Sequence, residues 1–178
     1  MPEANPSDID IYIFDSSSII DIFRHYDPAT FQSLWKDIDK LLSDDRFISH
    51  MEVQGECSKG GTNPDAKWLK QHRGIFYDHT TKQAKIIRDI QRQYKGRYQK
   101  VLIGAEKEDY HADPWLMALA TELQAMPADR QRRIGVARKN KRYFIVTEDG
   151  ALLTFATNEL KLNCITKNEL FKKENWHY

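Results

Sequence analysis

Cysteine and long apolar segments are both scarce in this chain. Its 178 residues include two cysteines, Cys57 and Cys164, which are far apart and form no C-x-x-C pair. This spacing argues against a disulfide framework and against a zinc ribbon. No segment approaches the roughly 20 apolar residues of a transmembrane helix, and the start, MPEANPSD, lacks the order of a signal peptide. We therefore expect a cytoplasmic protein without a membrane segment.

An excess of one charge is also missing, because the formal net charge is +1. Basic residues are nevertheless concentrated in two places, the segment 130–142 and one face of a helix predicted over 81–101. Either could follow a phosphate backbone, or simply be a solvated surface. The candidate RNA-binding residues are Lys85, Arg88, Arg92, Lys95, Arg132, Arg133, Arg138 and Lys139.

Short β-branched and aromatic segments alternate with amphipathic ones along the chain. IYIF, RFISH, RYFIVT and LNCI have the composition of strands, and all of them except RYFIVT lead into a pattern typical of a helix. Further helices are predicted over 27–42, with Asp27 as N-cap, and over 113–123, which is apolar nearly all round and should be central. This alternation predicts an α/β fold with a mostly parallel sheet, and the length fits one domain, 1–178.

Four acidic residues stand where such a fold builds its sites. Asp15 and Asp149 end predicted strands, while Glu56 and Asp113 lie near the beginnings of helices that would start at the same edge. Four carboxylates in one place repel one another unless cations neutralise them, and Mg²⁺ and Mn²⁺ prefer carboxylate oxygens. The sequence therefore predicts a metal site, with Glu52, one turn before Glu56, as an alternative ligand.

Each of these acids also has a local structural interpretation. Asp113 before Pro114 is typical of a helix N-cap, and Asp149 before Gly150 is typical of a turn. Asp15 could start a turn with the serines that follow it, and Glu56 could face solvent. These alternatives stay open at the level of single residues.

Four segments taken together resemble the motifs of PIN-domain nucleases. They are IFDSSSII, EVQGE, HADPWLMALA and IVTED, in this order between Ile9 and about Phe171. The ending LNCI is especially similar to a PIN-like branch found beside toxin–antitoxin genes. The fourth motif differs from the family pattern, because DGALLTF lacks the further acid that usually follows, so Glu148 could share the role of Asp149.

The resemblance implies a three-layer, Rossmann-like α/β/α sandwich that binds Mg²⁺ or Mn²⁺. Carried over by position, the catalytic and metal-binding residues are Asp15, Glu56, Asp113 and Asp149, supported by Ser17 or Thr147. The implied function is an endoribonuclease, like the VapC-like toxins, whose products carry a 5′-phosphate and a 3′-hydroxyl. RNA, an antitoxin protein and a second copy in a homodimer are the implied partners.

Other functions fit the same residues. A catalytically weak PIN fold could bind RNA or a protein partner, and a DNA nuclease could use the same fold. A phosphatase of the haloacid-dehalogenase type also begins with a strand and an aspartate, but it needs a second aspartate where this chain has Ser17.

Overall fold

The computed structural model describes residues 8–59, 63–102, 111–126, 140–176 and 178. The strands in these ranges are β1 (Ile9–Phe14), β2 (Phe47–His50), β3 (Phe76–Tyr77), β4 (Lys141–Val146) and β5 (Cys164–Ile165). The helices are α1 (Ser16–His25), α2 (Gln32–Ser43), α3 (Met51–Ser58), α4 (Pro64–Gln71), α5 (Thr81–Gln93), α6 (Gln99–Leu102), α7 (Asp113–Gln124), α8 (Gly150–Asn158) and α9 (Lys167–Lys173). A 3-10 turn covers Arg73–Ile75.

All five strands are parallel and form one sheet in the order β3-β2-β1-β4-β5. β1 lies in the middle because five of its six residues are buried, which suits a strand covered on both faces. From β1 the chain adds strands on one side and then crosses to β4 on the other. This reversal places a crevice at the carboxyl ends of β1 and β4, where sheets of this kind bind ligands.

Helices cover both faces of the sheet, so the predicted α/β/α sandwich is confirmed. The apolar helix α7 is central, as predicted, since Leu116, Met117 and Leu119 are fully buried. It packs against β2 and β4 on one side and against α5 on the other. The first residue of α7 is therefore held above the carboxyl edge of the sheet.

Two predicted helices have different bounds. The helix predicted over 81–101 is interrupted after Gln93, because Gly96 and Tyr98 adopt positive φ angles of 78° and 53° before α6 begins. The helix predicted from Asp27 begins at Gln32, and the Asp27 carboxylate instead accepts hydrogen bonds within the preceding turn. The short strand β3 and the helix α8 were not among the predicted elements.

Within the described ranges, none of the helices has both the length and the apolar character needed to cross a membrane.

Candidate active site

Asp15 is held rigidly at the carboxyl end of β1, where it is 3% exposed. One carboxylate oxygen accepts from the Ser16 amide at 2.6 Å and so caps α1. The other accepts from Ser17 Oγ at 2.6 Å and from Thr147 Oγ1 at 2.7 Å. Every one of these donors is neutral. The predicted supporting residues Ser17 and Thr147 therefore both contact Asp15, and they also contact each other at 3.1 Å.

Glu56 reaches the same place from α3. Its Oε2 accepts a hydrogen bond from Ser16 Oγ, and its Oε1 accepts from the Ala112 amide at 2.8 Å. Burial raises the pKa of Glu56, and the charge of Asp15 raises it further, whereas the two hydrogen bonds lower it. The side chain thus faces the crevice and links the start of α1 to the start of α7.

Glu52, the alternative ligand, is turned elsewhere. Its Oε1 lies 2.6 Å from Nε2 of His79, in the loop after β3. The glutamate that the structure places with Asp15 is therefore Glu56, four residues further along the same helix.

Asp113 is the first residue of α7 and does not cap it, because the N-cap position belongs to Ala112. The capping interpretation of Asp113 is therefore wrong. Burial, followed by the charges of Asp15, Asp149 and Glu56, raises the pKa of Asp113 to about 8. These four carboxyl groups are close enough to disfavour ionisation of one of them.

Asp149 follows β4 and caps α8, with Oδ1 accepting from the Ala151 and Leu152 amides at 2.6 and 3.2 Å. The predicted turn at Asp149 and Gly150 is therefore a helix start. Glu148 is oriented away from this cap, because its Oε1 accepts from the amide of Lys167 at 2.7 Å. Asp149, rather than Glu148, is thus the acid of this segment that acts on Asp113.

The four predicted acids converge, yet they do not form a ready-made metal cage. Within the described part of the chain, no three His, Cys, Asp or Glu side chains are grouped so that they could hold a metal ion as they stand. One carboxylate oxygen of Glu56 and one of Asp149 accept hydrogen bonds from backbone amides at helix starts. A cation would compete with these amides for the two oxygens. The donor set itself fits Mg²⁺ or Mn²⁺, which bind carboxylate oxygens, and a cation would relieve the repulsion at Asp113.

Three residues near the acids were not among the predicted site residues. Ser16 connects Asp15 and Glu56, because its amide donates to the first and its hydroxyl to the second. Lys100, on α6, carries the positive charge that lowers the pKa of Asp113. His111, which the sequence singles out only by its position before Asp113, lies 3.9 Å from the Asp113 carboxylate. The sequence pattern does not connect Lys100 with Asp113, because the position of Lys100 depends on the interruption of the helix after Gln93.

A family model for a domain of unknown function, DUF4411, matches residues 12–127. The chain belongs to the DUF4411 family. The matched DUF4411 segment includes Asp15, Glu56 and Asp113 and ends before Asp149. No curated protein and no solved structure matches the chain significantly.

The predicted RNA-binding residues fall into two groups in this DUF4411 protein. Those on α5 and directly after it are all exposed, and α5 packs on the helix that carries Asp113. They are Lys85, Arg88, Arg92 and Lys95. The others, Arg132, Arg133, Arg138 and Lys139, lie outside the described residues.

Proposed function

We propose that this protein is a Mg²⁺- or Mn²⁺-dependent endoribonuclease, the toxin component of a toxin–antitoxin pair. The observation that carries the proposal is the raised pKa of Asp113, about 8, which burial and three neighbouring carboxylates produce. Carboxylates that serve only the fold are normally paired with lysine or arginine. Among the described residues, no lysine or arginine forms an ion pair with any of these four acids.

The position of the cluster supports the same function. Asp15 and Asp149 follow the two strands that flank the point where the strand order reverses, which is the usual ligand crevice of an open parallel sheet. Glu56 and Asp113 come from helices that begin at the same edge. The four carboxylates thus derive from four separate segments, an arrangement that no single turn or cap requires.

The side chains divide the work of phosphodiester hydrolysis. A bound Mg²⁺ or Mn²⁺ would supply charge for the phosphate oxygens and lower the pKa of a water molecule. Asp15, fixed by Ser17 and Thr147, and Glu56, fixed by Ser16, would be its rigid ligands, and Asp113 and Asp149 would complete the site. The water oxygen bonds to phosphorus while the bond to the 3′-oxygen breaks, so the products are a 5′-phosphate and a 3′-hydroxyl.

RNA is the proposed substrate because α5 packs on the helix that carries Asp113 and exposes a row of basic residues to solvent on another face. DNA remains a second substrate to be tested with the same protein. An antitoxin protein and a homodimer, both from the family resemblance, and the cytoplasmic location expected from the sequence complete the proposal.

A second candidate is a non-catalytic module that binds RNA or a protein. The observation in its favour is that, in the described ranges, no three potential ligands are grouped to hold a metal ion as they stand. This candidate predicts RNA binding that is indifferent to EDTA and to substitution of Asp15.

Calorimetric titration with Mn²⁺, with cleavage of a structured RNA measured alongside, tests the proposal. We expect wild-type protein to bind Mn²⁺ with millimolar or tighter affinity and to cleave. Asp15→Asn should lose both, because asparagine keeps the cap on α1 but removes the charge. Absence of Mn²⁺ binding in the wild type, or cleavage retained in Asp15→Asn, would contradict the proposal.

A further inference from the structure

A second polar cluster lies beside the four acids and plays no part in the metal site described above. It consists of a glutamate and two histidines packed around a tryptophan. Nε2 of His79 lies 2.6 Å from Oε1 of Glu52, and the His79 ring meets the Trp115 ring edge-on at 4.4 Å. His50 stacks on Trp115 at 5.3 Å and meets His79 edge-on at 4.9 Å. His79 is therefore held in place by a carboxylate and by two rings.

The same two helices build this cluster and the acid site. Helix α3 contributes Glu52 to the cluster and Glu56 to the acids, one turn apart on one face. Helix α7 contributes Asp113 to the acids and Trp115 to the cluster within its first turn. His79 follows β3, at the carboxyl edge of the sheet. The cluster therefore lines the same rim as the acids, on the side of β2 and β3.

The partners of His79 decide which of its atoms faces outward. Its side chain is 46% exposed, whereas that of Glu52 is 16% exposed. With Nε2–H donating to Glu52, the other ring nitrogen, Nδ1, has no hydrogen-bond partner among the residues described. A carboxylate that fixes the tautomer and the ring orientation of a histidine is a recurrent arrangement in binding and catalytic sites.

The region behind His79 is polar and fully buried. His50 is fully buried, and burial, together with the charge of His79, lowers the pKa of His50 to about 4. Its Nε2 lies 3.4 Å from Oε1 of Gln83, which is also fully buried. Nε2 of Gln83 is buried without a partner in the described residues. Both side chains also hold helix starts, because Nδ1 of His50 accepts from the Glu52 amide and Oε1 of Gln83 accepts from the Thr80 amide.

We propose that His79 binds the ribose of a nucleotide adjacent to the scissile phosphate, with Nδ1 accepting a hydrogen bond from the 2′-hydroxyl. This inference rests on the proposed nuclease function and deepens it, because the 2′-hydroxyl is the group that distinguishes RNA from DNA. Glu52 and Trp115 are positioning residues, which act by holding the imidazole. His79 then favours RNA over DNA, a distinction that the four acids alone would not make.

The test measures binding rather than cleavage. Fluorescence anisotropy in EDTA gives the Kd for a short single-stranded RNA and for DNA of the same sequence. We expect wild-type protein to bind RNA more tightly. His79→Phe, which keeps a ring against Trp115, should weaken RNA binding about tenfold, the equivalent of one hydrogen bond, and leave DNA binding unchanged. Glu52→Gln should weaken RNA binding less, because the amide oxygen can still accept from Nε2.

His25→Phe is the matched control. His25 is also exposed and paired with a carboxylate, that of Asp21, but at the far end of α1. It should alter neither Kd. Thermal unfolding of each variant separates a loss of contact from a loss of fold, since a purely structural His79 would change the melting temperature and not the preference for RNA over DNA.

The outcomes separate this inference from the proposed function. If His79→Phe binds RNA like the wild type, or weakens RNA and DNA equally, His79 does not read the 2′-hydroxyl. If wild-type protein prefers RNA and loses this preference with His79→Phe, but never cleaves with Mn²⁺, the subsite stands and the nuclease proposal fails. If wild-type protein binds neither nucleic acid, both are wrong.

Discussion

The two ends of the central strand β1 each carry an aspartate, and the protein treats them in opposite ways. At the amino end, Asp10 is bound by Arg142 at 2.6 Å and by Lys173 at 3.0 Å. Nearby, Arg46 pairs with Glu174 at the end of α9. Every acid in this group therefore has a basic partner within the chain.

At the carboxyl end the surroundings are different. Asp15 is bound by two hydroxyls and an amide, and its charged neighbours are other carboxylates. Among the described residues, His111 lies 3.9 Å from the Asp113 carboxylate, and the charge of Lys100 lowers the pKa of Asp113. Within the described ranges, arginine and lysine form ion pairs with the acids of the amino edge and with none of the four acids at the carboxyl edge.

The difference shows which carboxylates the fold itself requires. Buried charges are stable when they are paired, and the amino edge meets this condition with its own residues. Among the residues described, the carboxyl edge has no such pairing, and a bound cation would supply it. An unneutralised cluster at a ligand crevice is thus better explained by binding than by stability.

The largest expected effect comes from removing one acid at each edge. Asp113→Asn should reduce RNA cleavage by more than about a hundredfold, since loss of a ligand should exceed the cost of losing an outer-shell contact. Asp10→Asn should leave cleavage unchanged but lower the free energy of unfolding by about 2 kcal/mol, because Arg142 and Lys173 lose their partner. Cleavage assays measure the loss of activity, and urea denaturation measures the loss of stability. Equal losses of activity in the two variants would contradict the distinction between the two edges of the sheet.

A second comparison lies within α3. Glu56→Gln should weaken Mn²⁺ binding at least about tenfold, whereas Glu52→Gln should change it less than about twofold, since Glu52 contacts His79 and not the acids. Calorimetric titration of both variants with Mn²⁺ measures the two affinities. If Glu52→Gln has the larger effect, the structure has assigned the wrong glutamate to the site.

The third prediction concerns pH. Without metal, folded Asp113 keeps its proton up to about pH 8, while the unfolded chain releases it near the usual 3.8. The folded state therefore binds more protons, and the free energy of unfolding should fall between about pH 4 and 8, by up to about 1.4 kcal/mol per pH unit. Above pH 8 this contribution is lost completely.

Urea denaturation of wild type and Asp113→Asn across this range isolates the contribution of Asp113. The asparagine variant should show a flatter profile, and saturating Mn²⁺ should flatten the wild-type profile because bound metal displaces the proton. Identical slopes in both proteins without metal would show that Asp113 does not hold the proton.

The smallest expected effect comes from the hydroxyls around Asp15. Ser17→Ala removes one of the three hydrogen bonds that hold this carboxylate and should weaken Mn²⁺ binding about tenfold without unfolding the protein. Ser43→Ala, which removes an exposed hydroxyl on α2 bonded to a backbone carbonyl, is the control and should have no effect on the metal. An unchanged Mn²⁺ affinity in Ser17→Ala would mean that Asp15 needs no support.

Much of the fold was predictable because strands and apolar helices leave a local record. The β1 segment is β-branched, aromatic and followed by an acid, and α7 is apolar on nearly every side, so both could be predicted without tertiary information. The break after Gln93 could not, because it depends on residues with positive φ angles within a continuous helical pattern. The strand β3 has two residues, too few for a periodic signal.

The four acids themselves were also predictable from their positions at strand ends and helix starts. The sequence left two questions open. It did not decide between Glu56 and Glu52, which lie one turn apart, and it did not show whether Asp113, before Pro114, is a site residue or a helix cap. The sequence by itself determined the element types and the chemistry of the donors, because both depend on neighbouring residues. Only the tertiary structure decided which carboxylates share a crevice and which receive an internal cation, because that depends on strand order and helix packing between residues far apart in the chain.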